Sequence, residues 1–213
     1  MPKGRATDAH SKIFPVVDGP RPRMGRAPAT THSELSHLAL QMFLDRGFDE
    51  TTVDEIARAA GIGRRTFFRY FASKNDLPWG DFDSLLSAMR AQLRSLPPET
   101  PLMDAIRVAV IEFNRFPDAE LPFHRERMRL LLNVPSLVAH STLRYAAWRQ
   151  VIAAFAAERL GSDPDTLEPQ SIAWACLGLC LAAYEQWLSQ DDADLPRLLD
   201  EAFQRLDSAF GSP

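Results

Sequence analysis

Residues 61–71 read Gly61-Ile62-Gly63-Arg64-Arg65-Thr66-Phe67-Phe68-Arg69-Tyr70-Phe71, and Ala72-Ser73-Lys74 follow directly. The glycines predict a tight turn, and the residues after them predict a short helix that is cationic and aromatic. Another short helix is predicted just before the turn, over 52–60. A basic helix that follows a helix across a glycine turn is typical of a helix-turn-helix, whose second helix lies in the DNA major groove. This stretch therefore predicts a DNA-binding protein.

Two helix start signals precede the basic helix. Thr31 is followed at the third position by Glu34, and Thr52 is followed in the same way by Glu55, which is the spacing of a capping box. The apolar residues after each signal recur with the helical period. With the basic helix, they predict a three-helix domain over 30–75.

The rest of the chain is also predicted to be helical. Ser73 and Asp76 mark the start of a fourth helix that we expect to continue to about Leu96. No run alternates with a period of two between hairpin turns, so no strand is predicted. Further helices are expected at about 100–116, 119–133, 136–160, 166–190 and 195–210. The predicted fold class is all-α with about nine helices, and a second helical domain covers 76–213.

The charges divide the chain into two unlike parts. The 213 residues carry a net charge of −4, yet residues 1–73 contain 11 Lys and Arg against 8 Asp and Glu. Residues 74–213 contain 13 against 20. This asymmetry favours one DNA-facing part and one part that phosphates repel.

Residues 1–29 contain five prolines and six lysines or arginines, which predicts a flexible basic arm. Two interpretations stay open. The arm either adds contacts to DNA, for example in the minor groove, or is a leader without a role.

Several classes of protein are disfavoured. No apolar run reaches the roughly 18 residues of a membrane span, and no signal peptide is recognisable, so we expect a cytoplasmic protein with no membrane partner. The two cysteines, Cys176 and Cys180, share a predicted helix face and suit two small buried residues. We expect no metal, no cofactor and no catalytic residues, because the sequence has no phosphate loop and its histidines lack ligand spacing: His10, His32, His37, His124 and His140. A helical adaptor or a transcriptional activator remains as an alternative.

The sequence resembles the tetracycline-repressor (TetR) family of regulators at two blocks. These are Gly47-Phe48-Asp49-Glu50-Thr51-Thr52-Val53-Asp54-Glu55-Ile56-Ala57-Arg58-Ala59-Ala60-Gly61-Ile62 and Thr66-Phe67-Phe68-Arg69-Tyr70-Phe71-Ala72-Ser73-Lys74. The stretch 63–83, which includes Pro78-Trp79-Gly80-Asp81-Phe82-Asp83, is also similar to regulators of the mycofactocin redox-cofactor system. The chain departs from many members at the start of the basic helix, where it has Gly63 and Arg65, and at Phe68, where tyrosine is usual.

The resemblance implies a homodimer that binds a pseudo-palindromic operator in double-stranded DNA. It also implies that a small molecule enters the C-terminal domain, which makes 76–213 an effector-binding and dimerisation domain. Any change of shape would then reach the DNA-binding domain through the fourth helix.

The basic helix carries the predicted DNA contacts. Base contacts are predicted for Arg64, Arg65 and Thr66, since arginine is the usual partner of guanine and residues at the start of a recognition helix reach base edges. Phosphate contacts are predicted for Thr52, Arg69, Tyr70 and Lys74. The alternatives are a solvated charged face for the arginines and a helix cap for Thr52.

The C-terminal region is rich in large apolar side chains, and the resemblance favours a cavity among them. The predicted pocket residues are Phe113, Phe116, Phe123, Arg125, Met128, Arg129, Leu132, Trp148 and Trp174. Arg125 and Arg129 share a helix face and could bind an anionic head group, which makes a long-chain acyl-CoA the leading effector. An ordinary core, with the arginines paired to Glu126 on the surface, is the alternative.

Two apolar stripes on the last helices predict the dimer interface. They comprise Leu177, Leu181, Tyr184 and Leu188 on one helix and Leu199, Phe203 and Leu206 on the other. Two such pairs could form a four-helix interface, although a monomer could bury the same stripes.

Overall fold

A computed structural model describes residues 31–210, with side chains described as far as 206. The predicted arm at 1–29 lies outside the described residues. Over 31–210 the chain forms nine α-helices and no strand, as predicted. The helices are α1 (His32–Arg46), α2 (Val53–Ala59), α3 (Arg64–Tyr70), α4 (Phe82–Ser95), α5 (Leu102–Phe113), α6 (Leu121–Asn133), α7 (Pro135–Leu160), α8 (Leu167–Ser189) and α9 (Leu195–Phe210). Two short 3-10 helices, Lys74–Trp79 and Asp118–Glu120, connect α3 to α4 and α5 to α6.

The helix-turn-helix forms as its start signals predict. Both capping boxes are present, since Thr31 and Thr52 each accept a bond from the backbone of the glutamate three residues on. Gly61 ends α2 with a φ of 67°, a left-handed conformation that glycine adopts without steric cost. Phe67 of α3 is fully buried, which fixes α3 against α1 and α2.

The predicted fourth helix is wrong in its first turns. Lys74–Trp79 is a 3-10 helix, and Gly80 then takes a φ of 57° before Asp81 caps α4. Pro78 has no N–H for a continuing α-helix, and Gly80 permits the reversal. The chain therefore enters α4 through a bend.

The long helix α7 lies at the centre of the C-terminal region. Its Ile152, Ala153 and Ala156 are fully buried, and it packs along α8, α6 and α4. The apolar core is continuous from α1 to α9. The predicted boundary between 75 and 76 falls inside the 3-10 helix, where Leu77 is fully buried.

A buried carboxylate joins the 3-10 helix to α7. Asp76 Oδ1 accepts bonds from His140 Nε2 at 2.8 Å and Arg144 Nη2 at 2.7 Å, and its Oδ2 accepts from Ser73 Oγ at 2.8 Å. Burial alone would raise the pKa of Asp76, but the hydrogen bonds from Arg144, His140 and Ser73 hold it below its ordinary value. Asp76 is thus a charged anchor between the segment that follows α3 and α7.

We predict that Asp76→Ala destabilises the protein by about 3–5 kcal/mol, because it leaves the partly buried Arg144 guanidinium without its closest carboxylate. Urea unfolding at pH 7 measures the loss. Asp83→Ala is the matched control, since its exposed carboxylate lies 3.8 Å from the same Arg144 and should change stability by less than about 0.5 kcal/mol. Equal effects of the two substitutions would contradict an anchor at Asp76.

Candidate DNA-binding surface and ligand cavity

The structure brings the three predicted base-contacting residues together at the start of α3. Arg64 and Arg65 are exposed, and Thr66 is half-buried. Phe67 and Phe71 are buried in the core. The first turn of α3 therefore presents two guanidinium groups to solvent.

The two arginines have different surroundings. Arg64 Nη1 lies 2.8 Å from Asp54 Oδ1 on α2, and its guanidinium lies 5.3 Å from the centre of the Phe68 ring. Arg65 forms no ion pair with any residue that the structure describes. Arg65 is therefore free to move toward a ligand, whereas Arg64 must first leave Asp54.

The predicted phosphate contacts are dispersed around α3. Thr52 caps α2, and the Arg69 guanidinium lies 5.6 Å from the Tyr70 ring. Lys74 Nζ donates to the carbonyl oxygens of Phe48 at 2.7 Å and Thr51 at 3.0 Å. Lys74 thus holds the α1–α2 loop against the 3-10 helix, and its phosphate contact stays a prediction.

A cavity of about 100 Å³ lies among the 3-10 helix Lys74–Trp79 and α4 to α8. Four residues predicted for the pocket line it: Phe113, Phe116, Met128 and Trp148. Its other walls include Leu177, Leu181 and Tyr184, for which the sequence predicted a place in the dimer interface.

Five predicted pocket residues lie elsewhere. Phe123 packs on His37, Leu132 is half-buried against the core, and Trp174 is 57% exposed beneath the Arg149 guanidinium. Arg125 donates to the Trp187 and Gln190 carbonyl oxygens at the end of α8. Arg129 pairs with Glu126, which is the alternative that the sequence left open.

The arginine that lines the cavity is Arg127, which sequence reasoning missed. The helical phase of α6 could have found it. His124, Arg127, Met128 and Leu131 follow one face and all line the cavity, whereas Arg125 and Arg129 are turned away from that face.

A chain of hydrogen bonds in the cavity wall fixes the proton positions. The Val110 carbonyl can only accept, so Asn114 Nδ2 donates to it at 2.7 Å. Asn114 Oδ1 then accepts from the Tyr184 hydroxyl at 2.7 Å, and that hydroxyl accepts from His124 Nε2 at 2.8 Å. This network assigns the hydrogen of a neutral His124 to Nε2 and leaves Nδ1 as a bare acceptor.

Burial, followed by the nearby Arg127 charge, lowers the pKa of His124 to about 3. The value in an unfolded chain is about 6.5. Between pH 6.5 and 3, His124 is therefore protonated in the unfolded chain but neutral in the folded protein. The stability due to neutral His124 is complete above pH 6.5 and is lost as the pH falls through this window.

We predict that the wild-type protein loses up to about 1.4 kcal/mol more stability per pH unit below pH 6 than His124→Gln does. Glutamine keeps a side-chain N–H that can reach Tyr184 but cannot titrate. Urea unfolding at pH 7, 6 and 5 compares the two proteins. Parallel pH profiles would show that His124 is not buried in neutral form.

Most of the predicted interface residues are already covered within one chain. Leu177, Tyr184, Leu199 and Phe203 are buried, and the remaining three are half-buried. The exposed face of α8 instead carries Leu167, Trp174, Gly178 and Ala182. The predicted interface stays a prediction.

The structure also bears on the expectations about membrane spans and cysteines. In the part of the chain that the structure describes, no helix is long and apolar enough to cross a membrane. Cys176 and Cys180 are both buried and unbonded, as their spacing on one helix face predicts.

Known proteins resemble this chain in both regions. A family profile described as bacterial regulatory proteins, tetR family, matches residues 36–77, and one described as MftR C-terminal domain matches residues 100–211. Over 181 residues the chain is 45% identical to a Mycobacterium tuberculosis protein that carries the name mycofactocin biosynthesis transcriptional regulator MftR, covering 85% of this chain and 91% of that protein. It is 31% identical over 185 residues to the HTH-type transcriptional regulator TcmR of Streptomyces glaucescens, covering 84% and 82%. The crystal structure of Thermus thermophilus FadR, a TetR-family repressor in complex with lauroyl-CoA, superposes with a TM-score of 0.55 at 20% identity, covering 84% of this chain and 94% of that one.

Proposed function

Because the chain belongs to the TetR family of bacterial transcriptional regulators, we propose that it is a repressor controlled by an apolar or amphipathic effector. It binds a pseudo-palindromic operator as a homodimer and releases it when the effector enters the cavity. One observation carries this proposal. The 3-10 helix Lys74–Trp79 bonds the helix-turn-helix at its first residue and lines the cavity at its last.

The base contacts are assigned to Arg64, Arg65 and Thr66. Arg65 supplies the principal one, since it is exposed at the start of α3 and holds no partner among the described residues. A free guanidinium can form two bonds to guanine O6 and N7 without giving up an existing ion pair. Arg69 and Tyr70 follow one turn later and suit contacts to the phosphate backbone.

We predict that Arg65→Ala weakens binding to the operator by about 1–3 kcal/mol and relaxes the preference at one base pair. Fluorescence anisotropy with the upstream intergenic DNA measures this, and a scrambled duplex at the same salt concentration gives the non-specific affinity. Arg90→Ala is the matched control, because Arg90 is an exposed arginine on α4, outside the helix-turn-helix. An unchanged sequence preference in Arg65→Ala would remove its base-reading role, and equal binding of wild type to both duplexes would favour an adaptor.

The dimer is proposed because half-sites in DNA lie about 34–36 Å apart and a single helix-turn-helix reads only one of them. The exposed face of α8 supports it. Gly178 and Ala182 lie one turn apart there, and their small side chains allow a second helix to approach closely. Half-buried Leu188 and Leu206 complete the apolar surface that the pair α8–α9 presents.

The effector proposed is a long-chain acyl-CoA. The cavity is lined mostly by apolar side chains, and the FadR of similar fold was crystallised with lauroyl-CoA. Its volume of about 100 Å³ lies below the roughly 300–1,000 Å³ of ligand sites, so a twelve-carbon chain must displace lining residues. Trp79 and Phe82 are among these residues. Their displacement moves the 3-10 helix Lys74–Trp79, which follows α3 directly. In this way binding of the ligand can change the position of the DNA-binding helix.

We predict that lauroyl-CoA releases the operator and raises the melting temperature, whereas coenzyme A alone does neither. At 100 times its dissociation constant a ligand adds about 2.7 kcal/mol to the stability of the folded state. Differential scanning fluorimetry and operator anisotropy on the same samples provide the two measurements. A saturating concentration without a shift in melting temperature would eliminate acyl-CoA, and tighter operator binding would replace release with corepression.

A further inference from the structure

Unsatisfied polar atoms are concentrated in the cavity. Over the described residues, five buried side-chain nitrogen or oxygen atoms have no hydrogen-bond partner, and four belong to residues that line it. The four are Trp79 Nε1, His124 Nδ1, Arg127 Nε and Tyr145 Oη, and Ser141 acts on the Tyr145 hydroxyl only as a weak partner. Folded proteins pair the large majority of buried polar groups, so four exceptions around one cavity call for a partner that enters it.

The chemistry of these atoms specifies what the partner presents. An indole N–H and a guanidinium N–H can only donate, and a phenol can donate as well. Three of the four groups therefore seek an acceptor. His124 Nδ1 is the exception, since the hydrogen-bond chain through Tyr184 leaves it as an acceptor. A ligand hydroxyl or a water that enters with the ligand suits that side.

The charge of Arg127 is also uncompensated. No carboxylate of the described residues lies within 4 Å of its guanidinium, although every other arginine on α6 has a bonded partner. Glu120 acts on it only from a distance, and burial dominates by lowering the pKa of Arg127. A partly buried cation without a partner favours an oxygen atom that carries negative charge.

The remaining walls are apolar, and they continue away from the polar atoms. Phe82, Leu85 and Phe113 line the cavity, and Leu85 is 38% exposed, so it lies where the cavity approaches solvent. The Trp79 and Tyr145 rings lie 5.7 Å apart between centres, so the two residues form neighbouring parts of the wall. The occupant is therefore an apolar chain with one oxygen-bearing group.

We propose that Trp79, Arg127 and Tyr145 form a binding site for the acyl oxygen of an apolar acyl ligand. That oxygen comes either from the carboxylate of a free fatty acid or from the carbonyl of a thioester. The inference rests on the proposed function only in that the cavity holds the effector. It specifies which residues discriminate the acyl group of the ligand.

Isothermal titration of the full chain with three probes tests the site. The probes are dodecanoyl-CoA, its thioether analogue S-dodecyl-CoA, which lacks only the carbonyl oxygen, and dodecanoate. The acyl oxygen should make dodecanoyl-CoA or dodecanoate bind at least about tenfold more tightly than S-dodecyl-CoA, since each lost hydrogen bond to a charged donor costs roughly that factor.

Three substitutions remove the donors: Tyr145→Phe and Arg127→Met keep most of the side-chain shape, and Trp79→Phe keeps an aromatic ring of smaller size. Each should weaken the acyl probes about tenfold and leave the thioether unchanged. Arg129→Met is the matched control, because Arg129 lies on the same helix, pairs with Glu126 and does not line the cavity. Without ligand, Arg127→Met and Tyr145→Phe should melt at or above the wild-type temperature, since each removes a polar atom that has no strong partner. Trp79→Phe also loses ring volume and should melt somewhat lower.

Each result decides the matter. Equal binding of acyl and thioether probes to all variants would overturn the site and leave acyl-CoA as an effector. Arg127-dependent binding of dodecanoate without binding of dodecanoyl-CoA would support the site and remove acyl-CoA from the proposed function. Binding of none of the probes would overturn both, and a large loss of stability in the ligand-free variants would show that the donors have a structural task instead.

Discussion

The carboxylate of Asp76 constrains the rest of the structure because a charge with so little contact with water must be matched by donors on every side. Ser73 supplies one donor from the chain before it, while His140 and Arg144 supply two from α7, more than sixty residues later. The ionic group thus fixes where the 3-10 helix sits on α7. Because α3 ends only a few residues before it, the same bonds also set the position of α3 relative to α7.

The 3-10 geometry of Lys74–Trp79 lets so short a segment contact both regions. With three residues per turn, side chains three apart lie on the same side. Asp76 and Trp79 both face α7, where they meet Arg144 and Tyr145. Lys74 is turned toward the helix-turn-helix and binds the loop after α1. An α-helix continued from Ser73 would have rotated these side chains out of register, so the bend at Gly80 is part of the coupling.

The sequence was sufficient for elements whose causes are local. Both capping boxes, the Gly61 turn and the buried Phe67 were predictable, because each depends on residues within a few positions of one another. The interruption before α4 was not, since Asp76 bonds His140 and Arg144, which lie more than sixty residues later in the chain.

The cavity was predictable as an aromatic region but not in its polar residues. Met128 was assigned to it, and the helical phase that places Met128 inside also selects Arg127 rather than Arg125 or Arg129. Arg125 and Arg129 were assigned to the cavity because of their charges. In the structure, Arg129 pairs with Glu126 on the same helix, and Arg125 donates to a carbonyl oxygen at the end of α8. Leu177 and Tyr184 were likewise assigned to an interface because an apolar stripe does not reveal whether its neighbour is another chain or the same one.

Binding of the effector can change the affinity for DNA only to the extent that the effector binds two arrangements of the 3-10 helix Lys74–Trp79 with different affinities. A cavity of about 100 Å³ favours such a difference in affinity, because a long chain cannot enter it without moving the side chains that line it in this structure. Trp79 has the most direct position for this, since it shares a face of the 3-10 helix with Asp76 and contacts Phe82 at the start of α4. A displacement of its ring strains the bonds of Asp76 to α7, and the DNA-facing helices are held in place through that same segment. Thermodynamic reciprocity then requires that bound operator, by holding α3 in place, weaken the binding of the effector. The factor is the same as that by which the effector weakens the binding of the operator.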